Sequence, residues 1–227
     1  MTTRRPVDPE LLSLVVHEFR TPASVVAGYL GMLQRDAALP LDERQRRMID
    51  EAARSCARLT TLLAELSEIA KLDAGATTMA EQRFDLFPLL QDIAGSVQES
   101  QNSDVRFQVR GEPSGAPMVG DLTRLRSAFS AIFHALLRER ASACTIVAER
   151  RLEPCGAAMS AVVVVAEDGA AQGAYAADPG RFDDMRGGLG LALPVAVRVI
   201  ECHGGRVWAP AGPQGHEAAI VSLPVLA

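Results

Sequence analysis

The stretch LVVHEFRTPASVVAGYLGML, residues 14–33, decides the fold of the first third of the chain. Its apolar residues recur every three or four positions, which predicts an amphipathic helix from about Pro9 to Arg35. At about 100° per residue the apolar stripe centres near Phe19, so that His17 is predicted to lie on the opposite, outer side. The stripe consists of Leu12, Val16, Phe19, Ala23, Val26, Leu30 and Leu33.

A second helical stripe follows a predicted break at Pro40. Asp42 is predicted to cap this second helix, and Gly75 is predicted to end it. Its apolar positions are Ile49, Ala52, Cys56, Leu59, Leu63, Leu66 and Ala70. Two long helices joined by a short turn form an antiparallel hairpin, which cannot bury both stripes by itself. We therefore expect a homodimeric four-helix bundle.

The composition places the whole chain among ordinary globular proteins. It has 227 residues, 48% of them hydrophobic and 22% charged, and a net charge of −5. Without a sizeable basic cluster, neither nucleic acid nor a membrane is expected as a partner. The longest apolar run, AVVVVA, is too short to span a bilayer, and we expect a cytoplasmic protein. Because Cys56, Cys144, Cys155 and Cys202 lack metal-ligand spacing, we expect reduced, buried thiols.

His17 has neighbours suited to nucleophilic chemistry. A neutral imidazole is a good nucleophile, and its ordinary pKa of about 6.5 leaves much of it unprotonated at neutral pH. Glu18 is placed to hold one ring nitrogen or to accept its proton, and Arg20 to balance phosphate charge. Small or polar residues share the helix face of His17, namely Thr21, Ser24 and Gly28. The alternative for His17 is a solvent-facing histidine without a chemical role.

Two motifs in the first third carry a family resemblance. HEFRTPASVVAGYLGML, residues 17–33, resembles the H-box of bacterial two-component histidine kinases, and RLTTLLAELSEIAKLDAG, residues 58–75, resembles the second helix of the same domain. The resemblance implies that His17 carries a phosphoryl group, that Glu18 acts in proton transfer, and that Thr21 assists dephosphorylation of the partner. That partner would be the receiver domain of a response regulator.

The remainder of the chain alternates predicted strands and helices. Strands are predicted at 105–110, 144–149, 161–167, 205–210 and 218–225, and helices at 86–99, 121–140 and 190–203. These elements predict one layer of helices on a mixed sheet. GGLGLALPVAVRVIECHGGRVWAP, residues 187–210, resembles the second glycine box of the GHKL ATPases. The expected fold class is α+β, with a helical-hairpin domain at 1–76 and a GHKL-type α/β sandwich at 77–227.

The resemblance also predicts a degenerate nucleotide site. Aligned through Asp121, Arg124 and Leu125, the chain has Ala131 and Ala135 where the family has asparagines, the second of which binds magnesium. Alanine offers no oxygen to a hard cation. If ATP bound at all, its contacts would come from Arg138, Asp168, Gly169, Gly188 and Gly190. We therefore expect no cofactor and no metal on this chain.

The leading hypothesis is a histidine phosphotransferase of a phosphorelay, whose overall plan resembles that of ChpT-type phosphotransferases. The protein would be a homodimer. The magnesium ion for the transfer would be supplied by the receiver domain. The residues expected to contact the receiver are Leu14, Arg20, Ser24, Val25 and Gly28, although Leu14, Val25 and Met32 face the dimer partner in an equally open reading. The alternatives are a sensorless kinase that phosphorylates His17 with ATP, a kinase core of a longer protein, and a non-catalytic receiver-binding scaffold.

Overall fold

A computed structural model of the chain describes residues 9–36, 41–99, 104–140, 142–156, 158–188, 190–212, 215 and 217–226, with side chains from residue 12 onward. The chain divides into two compact units, Met1–Thr77 and Thr78–Ala227. The predicted break at Pro40 lies outside the described residues.

The first unit is the predicted helical hairpin, formed by α1 (Pro9–Arg35) and α2 (Glu43–Asp73). Asp42 begins α2 with a capping box: its Oδ1 accepts from the Gln45 amide at 2.7 Å, while the Gln45 Oε1 accepts from the Asp42 amide at 3.0 Å. Two amides that the helix itself leaves unpaired are satisfied in this way. Beyond the end of α2, Gly75 adopts a positive φ of 62°, which glycine reaches without steric cost.

The face that α1 turns towards α2 is fixed by two contacts. The Cys56 thiol donates to the Ala23 carbonyl at 3.2 Å, and the Gln34 amide donates to Asp50 at 2.8 Å. Val16, Ala23 and Leu30 are seven residues apart and share this face, and Val16 and Ala23 are buried. Such seven-residue spacing is typical of a helix–helix seam.

The predicted centre of the apolar stripe at Phe19 is wrong for the single chain. Phe19 is 57% exposed, and Val26 and Leu33 on the same side are also exposed. The apolar stripe of α1 is wider than the surface that a single helix can cover. Helix α2 covers only the part of the stripe around Ala23. Phe19, Val26 and Leu33 therefore remain as an uncovered apolar flank on α1.

The second unit is built on a six-stranded mixed sheet of order β2-β4-β5-β8-β7-β6, beside the two-stranded pair β1-β3. Strands β2 and β4 are parallel, and the other neighbours are antiparallel. The strands are β1 (Gln82–Asp85), β2 (Arg106–Gly111), β3 (Pro117–Gly120), β4 (Thr145–Cys155), β5 (Ala158–Glu167), β6 (Pro179–Gly180), β7 (Arg206–Pro210) and β8 (Ala218–Pro224). The predicted mixed sheet after a helical hairpin is confirmed.

Strand β4 runs six residues beyond its predicted end at 149, because its polar second half pairs in register with β5 from Arg150 to Cys155. Local sequence gave no signal for this extension, since RRLEPC has neither apolar alternation nor β-branched residues. The short strands β1, β3 and β6 were likewise absent from the prediction.

Helices lie on both faces of the sheet, so the prediction of one helical layer was incomplete. The helices are α3 (Leu86–Glu99), α4 (Leu122–Arg138), α5 (Ala171–Ala176) and α6 (Ala192–Cys202). Helix α4 contacts α3, α6 and the sheet, whereas α5 packs in a separate cluster with Val162, Val164 and Ile220. Side chains alternate between the two faces of a strand, and Val163 and Val165 therefore face away from α5.

His203 connects the end of α6 to the start of α4. Its Nε2 accepts from the Asp121 amide at 2.9 Å, and its Nδ1 lies 2.7 Å from the Val199 carbonyl, to which it must donate. Asp121 in turn caps α4 by accepting from the Arg124 amide. Gly120 leaves the room for this ring, because a Cβ there would lie 2.5 Å from it. His203 thus has the structural role that was expected for it.

The cysteines are free, as expected, but they are not uniformly buried. Cys56 and Cys144 are half-buried, whereas Cys155 and Cys202 are exposed. The apolar patterns predicted burial too broadly, because Cys155 lies at the β4–β5 turn and Cys202 in the last turn of α6. Among the described residues, no helix is both long and apolar enough to traverse a lipid bilayer.

We predict that Asp42→Ala lowers the free energy of unfolding by about 1 kcal/mol, because the Gln45 amide loses its acceptor at the start of α2. Urea unfolding followed by circular dichroism measures this change. Asp42→Asn is the matched control and is expected to stay close to the wild type, since it keeps a side-chain oxygen. Equal midpoints for Asp42→Ala and the wild type would contradict the capping role.

Candidate functional site

His17 lies in the N-terminal half of α1, and its side chain is exposed. Its side chain is 77% exposed and that of Glu18 is 73% exposed. The His17 Nδ1 lies 3.8 Å from the Glu18 Oε1, which is too long for a hydrogen bond but close enough for a small rotation to form one. Glu18 thus approaches the ring on its Nδ1 side rather than its Nε2 side.

The helix face around His17 carries little bulk. Thr21, Ser24 and Gly28 are all exposed, and a Cβ built on Gly28 would meet no atom within 4 Å. These residues lie one to three turns beyond His17 on the same side of α1. The sequence prediction that they share a face is consistent with the single continuous helix from Pro9 to Arg35. The face can therefore admit another protein surface close to the imidazole.

Two groups of apolar residues remain exposed on α1, and Tyr29, which is 63% exposed, lies between them on the helix surface. Leu14, Val25 and Met32 form the first group, with exposures of 57%, 52% and 62%. At about 100° per residue this group lies within roughly 80° of His17, whereas the flank of Phe19, Val26 and Leu33 lies on the far side of the helix. The Arg20 side chain is also exposed, between the seam and the His17 face.

In the second unit, the two positions that the resemblance aligns with asparagines carry methyl groups, which offer no side-chain ligand to a metal. Ala131 is half-buried and Ala135 is fully buried in α4. A Cβ added to Gly187 would lie 3.1 Å from both Cα and Cβ of Ala135, so the backbone of the Arg186–Gly188 turn packs directly on this methyl group. A site for magnesium nucleotide therefore does not fit the residues present at Ala135.

The resemblance to the GHKL ATPases implies a first glycine box at AEDGAAQG, residues 166–173, whose adenine-binding acid would be Glu167 or Asp168. Both acids are engaged by arginines. Asp168 accepts two hydrogen bonds from Arg110, at 2.6 and 2.9 Å, and these lower the pKa of its carboxyl. Glu167, at the alternative position of the same motif, pairs with Arg140 at 3.3 Å. Both carboxylates therefore have charged partners within the protein. Gly169, between α5 and the strand that carries Glu167, has a φ of +87°.

The other residues assigned to a possible nucleotide are spread along α4 and the glycine-rich segment. Arg138 is exposed in the last turn of α4, beside the half-buried His134. Burial and the charge of Arg138 lower the pKa of the His134 imidazole. Gly188 and Gly190 have φ values of 60° and 70°. All of these residues belong to the second unit, whereas His17 belongs to the first.

Sequence reasoning missed the ion pair between Arg186 and Glu139. The Arg186 side chain is only 2% exposed, and its Nε donates to both oxygens of Glu139, at 2.9 and 3.1 Å. The two residues are 47 positions apart, and neither belongs to a recognised motif. An arginine immediately before paired glycines was the only available signal, and it does not identify a partner.

Comparison with known proteins matches residues 10–75 to the His Kinase A (phospho-acceptor) domain. The chain is 25% identical over 224 residues to the signal transduction histidine-protein kinase BaeS of Escherichia coli (strain K12), which covers 95% of this chain and 46% of BaeS. The chain thus spans about half the length of this curated relative.

Two solved structures share the fold. The crystal structure of full-length ShkA in complex with AMPPNP superposes with a TM-score of 0.70 at 20% identity, covering 97% of this chain and 47% of ShkA. Histidine kinase ThkA in complex with response regulator protein TrrA superposes with a TM-score of 0.57 at 18% identity, covering 96% of this chain and 61% of that chain.

We predict that the Asp168 carboxyl titrates below its ordinary pKa, because Arg110 stabilises the ionised form. The ion pair is then intact at neutral pH and is lost as the pH falls through the lowered pKa. In Arg110→Ala, the pKa of Asp168 is expected to rise towards its ordinary value. Carbon-13 NMR of the carboxyl group measures both titrations.

Gln108→Ala serves as the control for this titration. It removes the amide oxygen that accepts a hydrogen bond from the Arg110 guanidinium at 3.0 Å, and it leaves the pair with Asp168 in place. The pKa of Asp168 should therefore change much less than in Arg110→Ala. An identical pKa in wild type and Arg110→Ala would contradict the assigned cause.

Proposed function

The matches support a histidine kinase-like protein of two-component signalling, and on that premise we propose that the chain is a histidine phosphotransferase of a phosphorelay. In this role His17 takes a phosphoryl group from the aspartate of one receiver domain and passes it to the aspartate of another. The chain itself needs neither ATP nor a bound metal for this reaction, because the receiver brings the magnesium and the phosphoryl group.

The observation that carries the proposal is the contrast between the two units. The first unit keeps an accessible imidazole, a neighbouring carboxylate and an uncrowded helix face. The second unit has methyl groups at Ala131 and Ala135, and its candidate adenine acid Asp168 is paired with Arg110. This contrast supports a chain that accepts a phosphoryl group on His17 without binding a nucleotide itself.

The energetic cost of these losses favours transfer over autophosphorylation. Each charge-assisted contact or metal ligand contributes on the order of 1.5–3 kcal/mol to the binding free energy of the nucleotide, because hydrogen bonds to charged groups are stronger than those between neutral groups. Three such losses together weaken a micromolar nucleotide site to beyond the millimolar range, since roughly 1.4 kcal/mol corresponds to a tenfold change. Productive phosphorylation of His17 by ATP would require compensating contacts at this site.

The proposed transfer step is a displacement at phosphorus. The lone pair of the His17 Nε2 forms an N–P bond while the P–O bond to the receiver aspartate breaks, and that aspartate leaves as a carboxylate. The phosphorylated imidazole then releases the Nδ1 proton towards Glu18, whose Oε1 lies 3.8 Å away. The second receiver reverses these steps with its own aspartate. Positioning supplies most of the catalysis, because the phosphoryl group is already activated.

The two apolar groups on α1 suggest how the partners divide the helix. Leu14, Val25 and Met32 lie beside the His17 face and are assigned to the receiver, together with Arg20, Ser24 and Gly28. Phe19, Val26 and Leu33 lie on the far flank and are assigned to a second copy of the chain in a four-helix bundle. The complex of ThkA with response regulator TrrA supports a receiver as the partner class. Thr21 is assigned to dephosphorylation of the receiver.

We predict that the purified chain accepts label from a receiver phosphorylated on aspartate and passes it to a second receiver. His17→Ala is expected to abolish this transfer, because no nucleophile replaces the imidazole, while receiver binding is largely kept. Label on the chain, followed with time and tested for acid lability, measures the transfer. His134→Ala is the matched control and should transfer at the wild-type rate.

Transfer that persists in His17→Ala would refute the assignment of His17. A chain that binds receivers but never takes up label would instead be a scaffold.

We further predict that incubation with labelled ATP and magnesium leaves His17 unlabelled, because Ala135 offers no oxygen ligand to the cation. The receiver transfer assay on the same sample shows that the imidazole is reactive. Strong, His17-dependent labelling from ATP would establish the sensorless kinase and overturn the proposed function.

A further inference from the structure

The segment between α5 and α6, residues 178–188, is fastened to the rest of the second unit at both of its ends; we call it the strap. We propose that the strap is a built-in plug, which closes the surface of α4 at Ala135. This inference goes beyond the phosphotransferase role, because it concerns the second unit alone and holds for either direction of phosphoryl flow.

The first end of the strap is joined to the edge of the sheet. Pro179 and Gly180 form β6, which pairs antiparallel with Pro210 and Ala209 of β7. The Asp178 carbonyl accepts from the Ala211 amide at 2.8 Å. The approach requires glycine, since a Cβ on Gly180 would lie 2.9 Å from the Cα of Ala211.

The second end of the strap is held by a charged anchor. The Arg186 side chain is 2% exposed and forms a bidentate ion pair with Glu139, just beyond the end of α4. The guanidinium carbon also lies 5.8 Å from the ring centre of Phe182, which is itself buried. A planar guanidinium that donates two hydrogen bonds to one carboxylate fixes both the distance and the relative orientation of the two side chains. Removal of one partner leaves the other charge buried, which is strongly unfavourable.

Immediately after the second anchor, the turn of the strap rests on α4 itself. Gly187 has a φ of +73°, and the position of its missing Cβ is 3.1 Å from the Cα and Cβ of Ala135. The contact is possible because both residues are small. A longer side chain at either position would require the turn to move away from α4.

The contact between Gly187 and Ala135 covers the part of α4 where a metal ligand would be expected. Ala135 occupies the helix position at which the resemblance places the magnesium-binding asparagine, and the Gly187 backbone covers it. A nucleotide and its metal would need the strap to leave, which breaks the pair of Arg186 with Glu139. The second unit is therefore closed by its own chain in addition to lacking metal ligands.

Hydrogen–deuterium exchange of the full chain, read by mass spectrometry on peptides that cover residues 180–188, tests the proposal. In the wild type, these amides are expected to be protected. In Glu139→Gln, the uncompensated Arg186 charge is expected to release the strap and to speed exchange there on the order of 100-fold, with β4 and β5 unchanged.

Glu201→Gln is the matched control, since it makes the same chemical change at an exposed position of α6 and should leave exchange as in the wild type. Gly187→Ala is the second variant and is expected to speed exchange in the strap as well, because its Cβ meets both a positive φ and Ala135.

Two results would overturn the plug. Wild-type amides that exchange as fast as an unstructured peptide would show a mobile lid, and this result stands even if a variant fails to fold. Equal strap exchange in a folded Glu139→Gln and Glu201→Gln would show that the ion pair does not hold the segment. Neither outcome depends on transfer through His17, so the two proposals fail separately.

Discussion

The contact between α1 and α2 along a single face of α1 determines what the first unit can offer to other molecules. The thiol of Cys56 on the Ala23 carbonyl and the amide of Gln34 on Asp50 fix this face. Because the residues of a helix have fixed angular positions, the side of α1 that contacts α2 determines which residues remain exposed on its other sides. His17 then lies outward with its small neighbours, and the flank of Phe19 remains uncovered. If α2 packed a quarter turn further around α1, it would cover a different set of these apolar residues.

In the second unit, the small side chain at position 135 has two physical effects. Ala135 offers no side-chain oxygen to a cation, and its small size lets the Gly187 backbone approach to van der Waals contact. The turn of residues 186–188 thus packs directly on α4 at this position.

Three acid–arginine pairs surround the same region of the second unit. Asp168 is paired with Arg110, Glu167 with Arg140, and Glu139 with Arg186. The first of these pairs lies at the surface and contributes little to stability, whereas the nearly buried Arg186 depends on its partner. All three pairs give a carboxylate a charged partner within the protein.

The sequence by itself determined the elements whose signals are local. Periodicity and caps defined α1 and α2, and apolar runs indicated the long strands. The resemblance to an H-box singled out His17 as a candidate, and helical spacing placed its neighbours on the same face. Only the tertiary structure decided which part of the α1 stripe is covered, where β4 ends, and that α5 occupies the second face of the sheet. It also decided that Arg186 reaches Glu139 and that Gly187 rests on Ala135. These features join residues distant in the chain, and their energies depend on packing and desolvation that no local pattern encodes.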